Sequence, residues 1–259
     1  IHPGGRNASV ALLRELDPQP GQRILEIGCG TAGTLTRVCR RAPVHAVGLD
    51  LLLEMLAQAR RRVEAAGIAD RVTLLKGAAS QIPCDDDSFD SVYCESVLGF
   101  QKTPVLRSAL REIHRVLKPG GRLIANDAIW KPGVDAELAA RINEACEKDF
   151  GLMQATESPW HLEDWLREFE VHGFQVDSSE LLADISVEED LPEERANGAS
   201  SARRFREVVR NMLTSLSPDV IANRLRYRRL LRAYRPVSIH VEGRLFVVTA
   251  IPGEATPRS

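Results

Sequence analysis

The chain has 259 residues, with 34 Lys and Arg against 36 Asp and Glu and a formal net charge of −2. That length can bury a sizeable core in one α/β domain with an inserted subdomain, and a charge near zero gives no general reason to expect a polyanionic partner. No run of about eighteen or more apolar residues and no signal peptide is visible, so the expectation is a soluble cytoplasmic protein without a membrane span.

The five cysteines are an odd number spread without paired metal-ligand spacing. This composition suits a reducing compartment and gives no metal site. The chain opens on Ile1 rather than Met, so targeting is judged only on the residues present.

Residues 1–20 read as a loop containing His2 and an amphipathic helix over Ala8 to Leu16, stopped before Asp17-Pro-Gln-Pro-Gly21. Arg23 to Ile27 is an apolar run with branched residues, the pattern of a buried parallel strand. Gly28, Gly30 and Gly33 then open a tight turn before a helix that includes Leu35 to Cys39. Glycine suits such a turn because the backbone bends at positive φ and lets a ligand approach where a Cβ would intrude. Val44 to Leu49 reads as a second strand ending on Asp50, about twenty residues past the turn, where an acid can accept hydrogen bonds from ribose hydroxyls. A second βα unit follows, with a helix over Leu51 to Ala66 and a strand over Val72 to Leu75.

Four motifs in order carry a resemblance. They are Glu26-Ile-Gly-Cys-Gly-Thr31, then Gly48-Leu-Asp50, then Ile82-Pro83 ahead of Asp87-Ser-Phe-Asp90, then Val116-Leu-Lys-Pro-Gly-Gly121. Together they resemble the class I S-adenosylmethionine-dependent methyltransferases over residues 21–130. The resemblance implies a doubly wound, mostly parallel seven-stranded α/β sheet with a helical lid built from insertions. It implies S-adenosylmethionine as methyl donor and S-adenosylhomocysteine as product. Gly28, Cys29, Gly30 and Gly33 would shape the donor's turn, Glu26 would hold its amino-acid end, Asp50 its ribose, and Leu51 would pack on the adenine. Gly77-Ala78-Ala79 falls where related enzymes usually carry Gly-Asp-Ala, so Ala78 replaces the acid for the adenine amino group and that contact must come from backbone, water or Ser80.

Phe89 to Cys94 reads as the fourth strand, with Glu95 at its carboxyl end and Phe100 in the loop beyond. Ligands of open α/β sheets bind at this edge, so Glu95 is the candidate catalytic acid and would also complete the donor pocket. In sterol, tocopherol and prenyl-diphosphate C-methyltransferases, which this part of the chain resembles, such a glutamate acts at the acceptor. A carboxylate there could stabilise a developing carbocation or remove a proton; orienting the donor or capping a helix are the plainer alternatives.

A helix over Pro104 to Leu117 leads to a fifth strand, Arg122 to Ala125, followed at the ligand edge by Asn126, Asp127 and Trp130. Trp130 could wall off an acceptor or belong to the core. Helices over 134–150 and 160–171 form an insertion, expected as a unit over 131–172, with Trp160 a candidate acceptor contact and His161 a weak candidate base. A core strand is expected within 173–183, an arginine-rich lid over 184–236 and the last strand and tail over 237–259. In the lid, inward arginines with Tyr227 or Tyr234 could grip a phosphate or carboxylate, while most of its arginines read as solvated or paired with the acidic stretch before them.

The expected reaction is methyl transfer to an enclosed small molecule, apolar or isoprenoid-like with room for an anionic group, with C-methylation slightly favoured. O- or N-methylation of a secondary metabolite fits nearly as well. An RNA methyltransferase is a weaker reading because no RNA-binding module accompanies the arginines, and an NAD-dependent dehydrogenase because Lys118-Pro-Gly-Gly121 and Asp87-Ser-Phe-Asp90 belong to the methyltransferase pattern, while a non-catalytic binder of the donor stays as a different class. A homodimer is compatible with the sequence.

Overall fold

The computed structural model describes residues 5–150, 153–185 and 240–252. Its elements run α1 (Gly5–Leu16), β1 (Arg23–Ile27), α2 (Gly33–Arg41), β2 (His45–Asp50), α3 (Leu53–Ala65), β3 (Val72–Lys76), β4 (Phe89–Glu95), α4 (Thr103–Val116), β5 (Leu117–Trp130), α5 (Ala136–Phe150), α6 (Leu162–Val171), β6 (Phe174–Leu181) and β7 (Val241–Ala250). The arginine-rich segment, with Tyr227 and Tyr234, lies outside the described residues from position 186 onward.

The strands form one seven-stranded sheet in the order β3-β2-β1-β4-β5-β7-β6. β1 is buried along four of its five positions because it is covered on both faces, and it pairs in parallel with β2 and β4. Only β7 runs antiparallel, between β5 and β6. The chain winds outward from β1 through β2 to β3 and then crosses to β4 on the other side. This reversal leaves a crevice at the carboxyl ends of β1 and β4, the place where open α/β sheets bind ligands.

Two apolar layers hold the sheet. On one face α1, α2 and α3 cover Ile24, Tyr93, Ile124, Leu245 and Val247. On the other, α4 and α6 cover Leu25, Ile27, Cys94, Leu123 and Phe246. The stripe Leu106, Leu110 and Ile113 on α4 follows the helical repeat and is fully buried, as an amphipathic packing helix requires.

β5 is longer than the four residues expected from sequence, extending from Leu117 to Trp130. Trp130 therefore ends a strand instead of following one, and its backbone pairs with Val241. Its side chain is fully buried, and the indole N–H donates to the Thr156 carbonyl at 2.9 Å. These contacts give it the place of a core residue.

Candidate active site

The glycine turn closes β1 onto α2. Gly28 lies at φ 70° and Gly30 at φ 50°. A Cβ added to Gly28 would stand 2.6 Å from Val97 Cγ2, so both the backbone and the neighbouring loop demand glycine there. Ala32 is also left-handed, at φ 57°, and caps α2 without a side-chain hydrogen bond. The first N–H groups of α2 are therefore offered to an anionic group such as a carboxylate.

The acids of the edge sit on successive strands. Asp50, the last residue of β2, accepts from the Gly30 N–H at 2.8 Å and the Leu52 N–H at 2.9 Å. Each carboxylate oxygen keeps a lone pair for a ribose hydroxyl. Leu51 beside it is 61% exposed, and Leu52 and Leu53 are exposed with it.

Glu26 on β1 is buried, and its Oε2 has no hydrogen-bond partner among the described residues. Burial raises its carboxyl well above the ordinary range, reinforced by the nearby charges of Glu95 and Asp50. An orphaned buried carboxylate oxygen beside open helix amides and a tight glycine turn fits a zwitterionic amino-acid group, so these residues suit S-adenosylmethionine.

Cys29 is buried at the turn, and burial pushes its thiol up to about 12, so at neutral pH it is a packed thiol rather than a nucleophile. Ala78 forms an isolated bridge with Gln81, and Ala79 packs partly buried against the core. A cavity of about 1080 Å³ reaches Ala78 from the side of Gln81, His114, Arg115 and Lys118, but neither Glu26, Asp50 nor Glu95 lines it. It is a half-open groove of mixed lining that reaches none of the three acids.

Glu95 ends β4, the strand paired in parallel with the β1 strand of Glu26. Ser9 Oγ of α1 donates to Oε2 at 2.5 Å and Thr34 Oγ1 of α2 to Oε1 at 2.6 Å. Asn126 stands in register beside it on β5, fully buried, with neither Nδ2 nor Oδ1 partnered among the described residues. The next residue, Asp127, points to the opposite face by strand alternation. Its carboxylate accepts from the Leu98 and Gly99 N–H groups at 3.2 and 3.0 Å, which shapes the loop after β4. Burial nevertheless lifts Asp127 to about 7.

The other sequence candidates disperse. Phe100 is half-buried beyond that loop. Trp160 packs edge-on to Trp165 with ring centroids 5.6 Å apart, in the core on the α6 face and away from Glu95. His161 precedes α6, where its N–H donates to Asp164 at 3.0 Å and its ring Nε2 lies 3.1 Å from the Val134 carbonyl. Both contacts are structural. Sequence reasoning missed Ser9 and Thr34. Thr34 carried a usable signal, a hydroxyl directly after the third glycine, whereas nothing local marks Ser9.

Residues 24–121 match the family model described as a methyltransferase domain. The ubiquinone/menaquinone biosynthesis C-methyltransferase UbiE of Cereibacter sphaeroides is 39% identical over 115 residues, 44% of this chain and 45% of that protein. The aligned part thus spans under half the length of that relative. Among solved structures, a putative sarcosine dimethylglycine methyltransferase from Galdieria sulphuraria superposes with a TM-score of 0.69 at 17% identity, covering 94% of this chain and 84% of that one. A geranyl diphosphate C-methyltransferase from Streptomyces coelicolor A3(2), solved with S-adenosylhomocysteine, gives 0.64 at 16% identity, with 94% and 79% covered. These two likenesses establish the fold. The matched residues 24–121 take in the glycine turn and the acids of β1 and β2, so this part of the chain is a methyltransferase domain, set in a fold of the class I, Rossmann-like type.

Proposed function

We propose that this chain transfers the donor's methyl group to a small molecule held in an enclosed site, an apolar or isoprenoid-like acceptor with room for an anionic group. Carbon is the slightly favoured nucleophile. The observation that carries this reading is the covered carboxyl edge of β4 and β5, where Glu95 and Asn126 are buried beneath α1. A macromolecular acceptor would call for an open surface there. The C-methyltransferase names of UbiE and of the geranyl diphosphate enzyme support the same class.

The bound sulfonium supplies an already activated methyl group, so the protein's task is alignment and exclusion of water. Glu26 and the α2 amides would fix the donor's amino-acid end and Asp50 its ribose. Leu51, exposed beside Asp50, would lie against the adenine, and Ala78 and Ala79 would border it. The acceptor approaches from the β4–β5 side in line with the breaking bond. Both oxygens of Glu95 already accept a hydroxyl hydrogen, which suits electrostatic support of a developing cation better than proton removal.

The unpartnered Asn126 amide would equally orient an acceptor oxygen or amine, and this keeps O- or N-methylation of a secondary metabolite as the second reading. All five cysteines are unbridged, which supports a reducing, cytoplasmic setting. Among the described residues no helix is long and apolar enough to cross a membrane. A grip on an anionic tail by the arginine-rich segment, with Tyr227 and Tyr234, rests on sequence alone, as does a homodimer.

The test is transfer of radiolabelled methyl from S-adenosylmethionine into cell extract, separated into organic-soluble, phosphorylated aqueous, nucleic-acid and protein fractions. Label is expected in one of the first two. Label confined to nucleic acid or protein would contradict the proposal.

A further inference from the structure

Glu95 is tied to two helices at once. Ser9 belongs to α1, which covers the edge, and Thr34 to the first turn of α2, which begins at the third glycine. One carboxylate therefore joins the cover of the site to the donor-binding turn. The tie leaves Glu95 no rotamer freedom and fixes where its charge lies.

Buried polar groups surround this fixed charge. Both ends of the Asn126 amide are buried and unpartnered among the described residues, and the buried Glu26 carboxyl and Tyr93 hydroxyl lie against each other beside it. The charged groups felt by Glu26 are Glu95 and Asp50, both acids. Buried acids side by side are costly unless a cation joins them, and a fully buried amide with neither end bonded is a poor core residue. The cluster has the chemistry of a site for a cationic ligand with polar neighbours.

The order β2, β1, β4 sets Asp50, Glu26 and Glu95 in a row along the edge. A donor held by its ribose at Asp50 and by its amino-acid end at Glu26 would bring its sulfonium to this same edge, where Glu95 on β4 is the neighbouring acid. The donor's sulfur is cationic, whereas the product's is a neutral thioether. A fixed carboxylate in a partly desolvated site separates those two states electrostatically.

Resting on the methyl-transfer reading, we propose that Glu95, held by the Ser9 and Thr34 hydroxyls, is a charge-selective contact for the sulfonium that favours the donor over its product, with Ser9 and Thr34 as positioning residues. Transfer of the methyl removes the positive charge, and the same carboxylate then weakens the hold on S-adenosylhomocysteine.

The experiment is calorimetric titration of the full chain with S-adenosylmethionine, S-adenosylhomocysteine and sinefungin, in which an amine-bearing carbon replaces the sulfonium. The variants are Glu95→Gln, Ser9→Ala and Thr34→Ala, with Ser9→Thr and Thr34→Ser as swaps that keep a hydroxyl. Glu95→Gln is expected to lower the preference for the two cationic ligands over S-adenosylhomocysteine by about tenfold, while affinity for S-adenosylhomocysteine changes by less than about threefold. Ser9→Ala and Thr34→Ala each lower the preference less, and the hydroxyl-keeping swaps restore it. Retained S-adenosylhomocysteine binding in each variant shows that the site still folds.

An unchanged preference in Glu95→Gln, or a parallel weakening of all three ligands, overturns the proposal. A shift in Glu95→Gln with none in either alanine variant overturns the positioning role. A wild-type chain that binds the ligands without preference defeats this proposal alone, whereas one that binds none of them defeats the methyl-transfer reading beneath it.

Discussion

The two halves of the sheet's carboxyl edge solve different problems with different material. At β1 and β2 the chain spends backbone: left-handed positions at Gly28, Gly30 and Ala32, open α2 amides, and one acid per strand. At β4 and β5 it buries side chains: beneath α1 a doubly bonded Glu95 and an unpartnered Asn126, and on the opposite face a loop-holding Asp127. On the proposed function, the first half would recognise a ligand of fixed shape and need little besides tight turns. The second would hold polar groups in reserve, at a cost in stability, for the proposed acceptor, whose chemistry varies between enzymes of one fold. A substitution in the first half should therefore remove donor binding, and one in the second should trade stability against transfer.

The largest expected effect is at the turn. Gly28→Ala places a Cβ 2.6 Å from Val97 Cγ2 at a φ of 70°, so the turn must shift. It is expected to weaken donor binding by about a hundredfold or more and to cost about 1–3 kcal/mol of stability, read by calorimetry and denaturant unfolding. Donor affinity within about twofold of wild type would show that the turn is not the donor's cradle.

The second effect lies at β5 and depends on pH. Burial raises Asp127 to about 7 in the folded chain from an ordinary carboxylate value in the unfolded one. Between about pH 4 and 7 the unfolded chain therefore binds fewer protons, and folding stability falls as pH rises, by an amount on the order of a few kcal/mol. Glu26, raised for the same reason, acts with the same sign. Asp127→Asn should flatten this slope in denaturant unfolding followed across that range, at the expense of one of the loop hydrogen bonds. An equally steep slope in the variant would assign the dependence elsewhere.

A smaller change sharpens the comparison most. Asn126→Leu replaces an amide that bonds to nothing described with an apolar group of similar size, and is expected to raise stability by about 1 kcal/mol while lowering methyl transfer. A loss of stability instead would mean that the amide is satisfied in the folded protein and belongs to the core.

The contrast also explains what could be read from sequence. The β1 turn and the end of β2 were legible because their signals are local: a buried apolar run, three glycines within six residues, and an acid at the end of the next strand. The helices and strands of the described core were legible by periodicity, with shifts at their ends. The contacts of the β4–β5 edge were not, because they join residues distant along the chain. Ser9 reaches Glu95 across 86 positions and Thr34 across 61. Trp130 and His161 looked like site residues from their places after β5 and before α6. The length of β5 and the start of α6 are decided by pairing with β7 and packing on the sheet, and these put the Trp130 indole against Thr156 and the His161 ring against Val134.

The measurement that bears most directly on the central claim is calorimetric titration of the full chain with S-adenosylhomocysteine and, in parallel, with NADH. The account predicts saturable one-to-one binding of S-adenosylhomocysteine that is lost in Gly28→Ala, and no binding of NADH. Binding of NADH, or failure of S-adenosylhomocysteine to bind the folded wild-type chain, would contradict it.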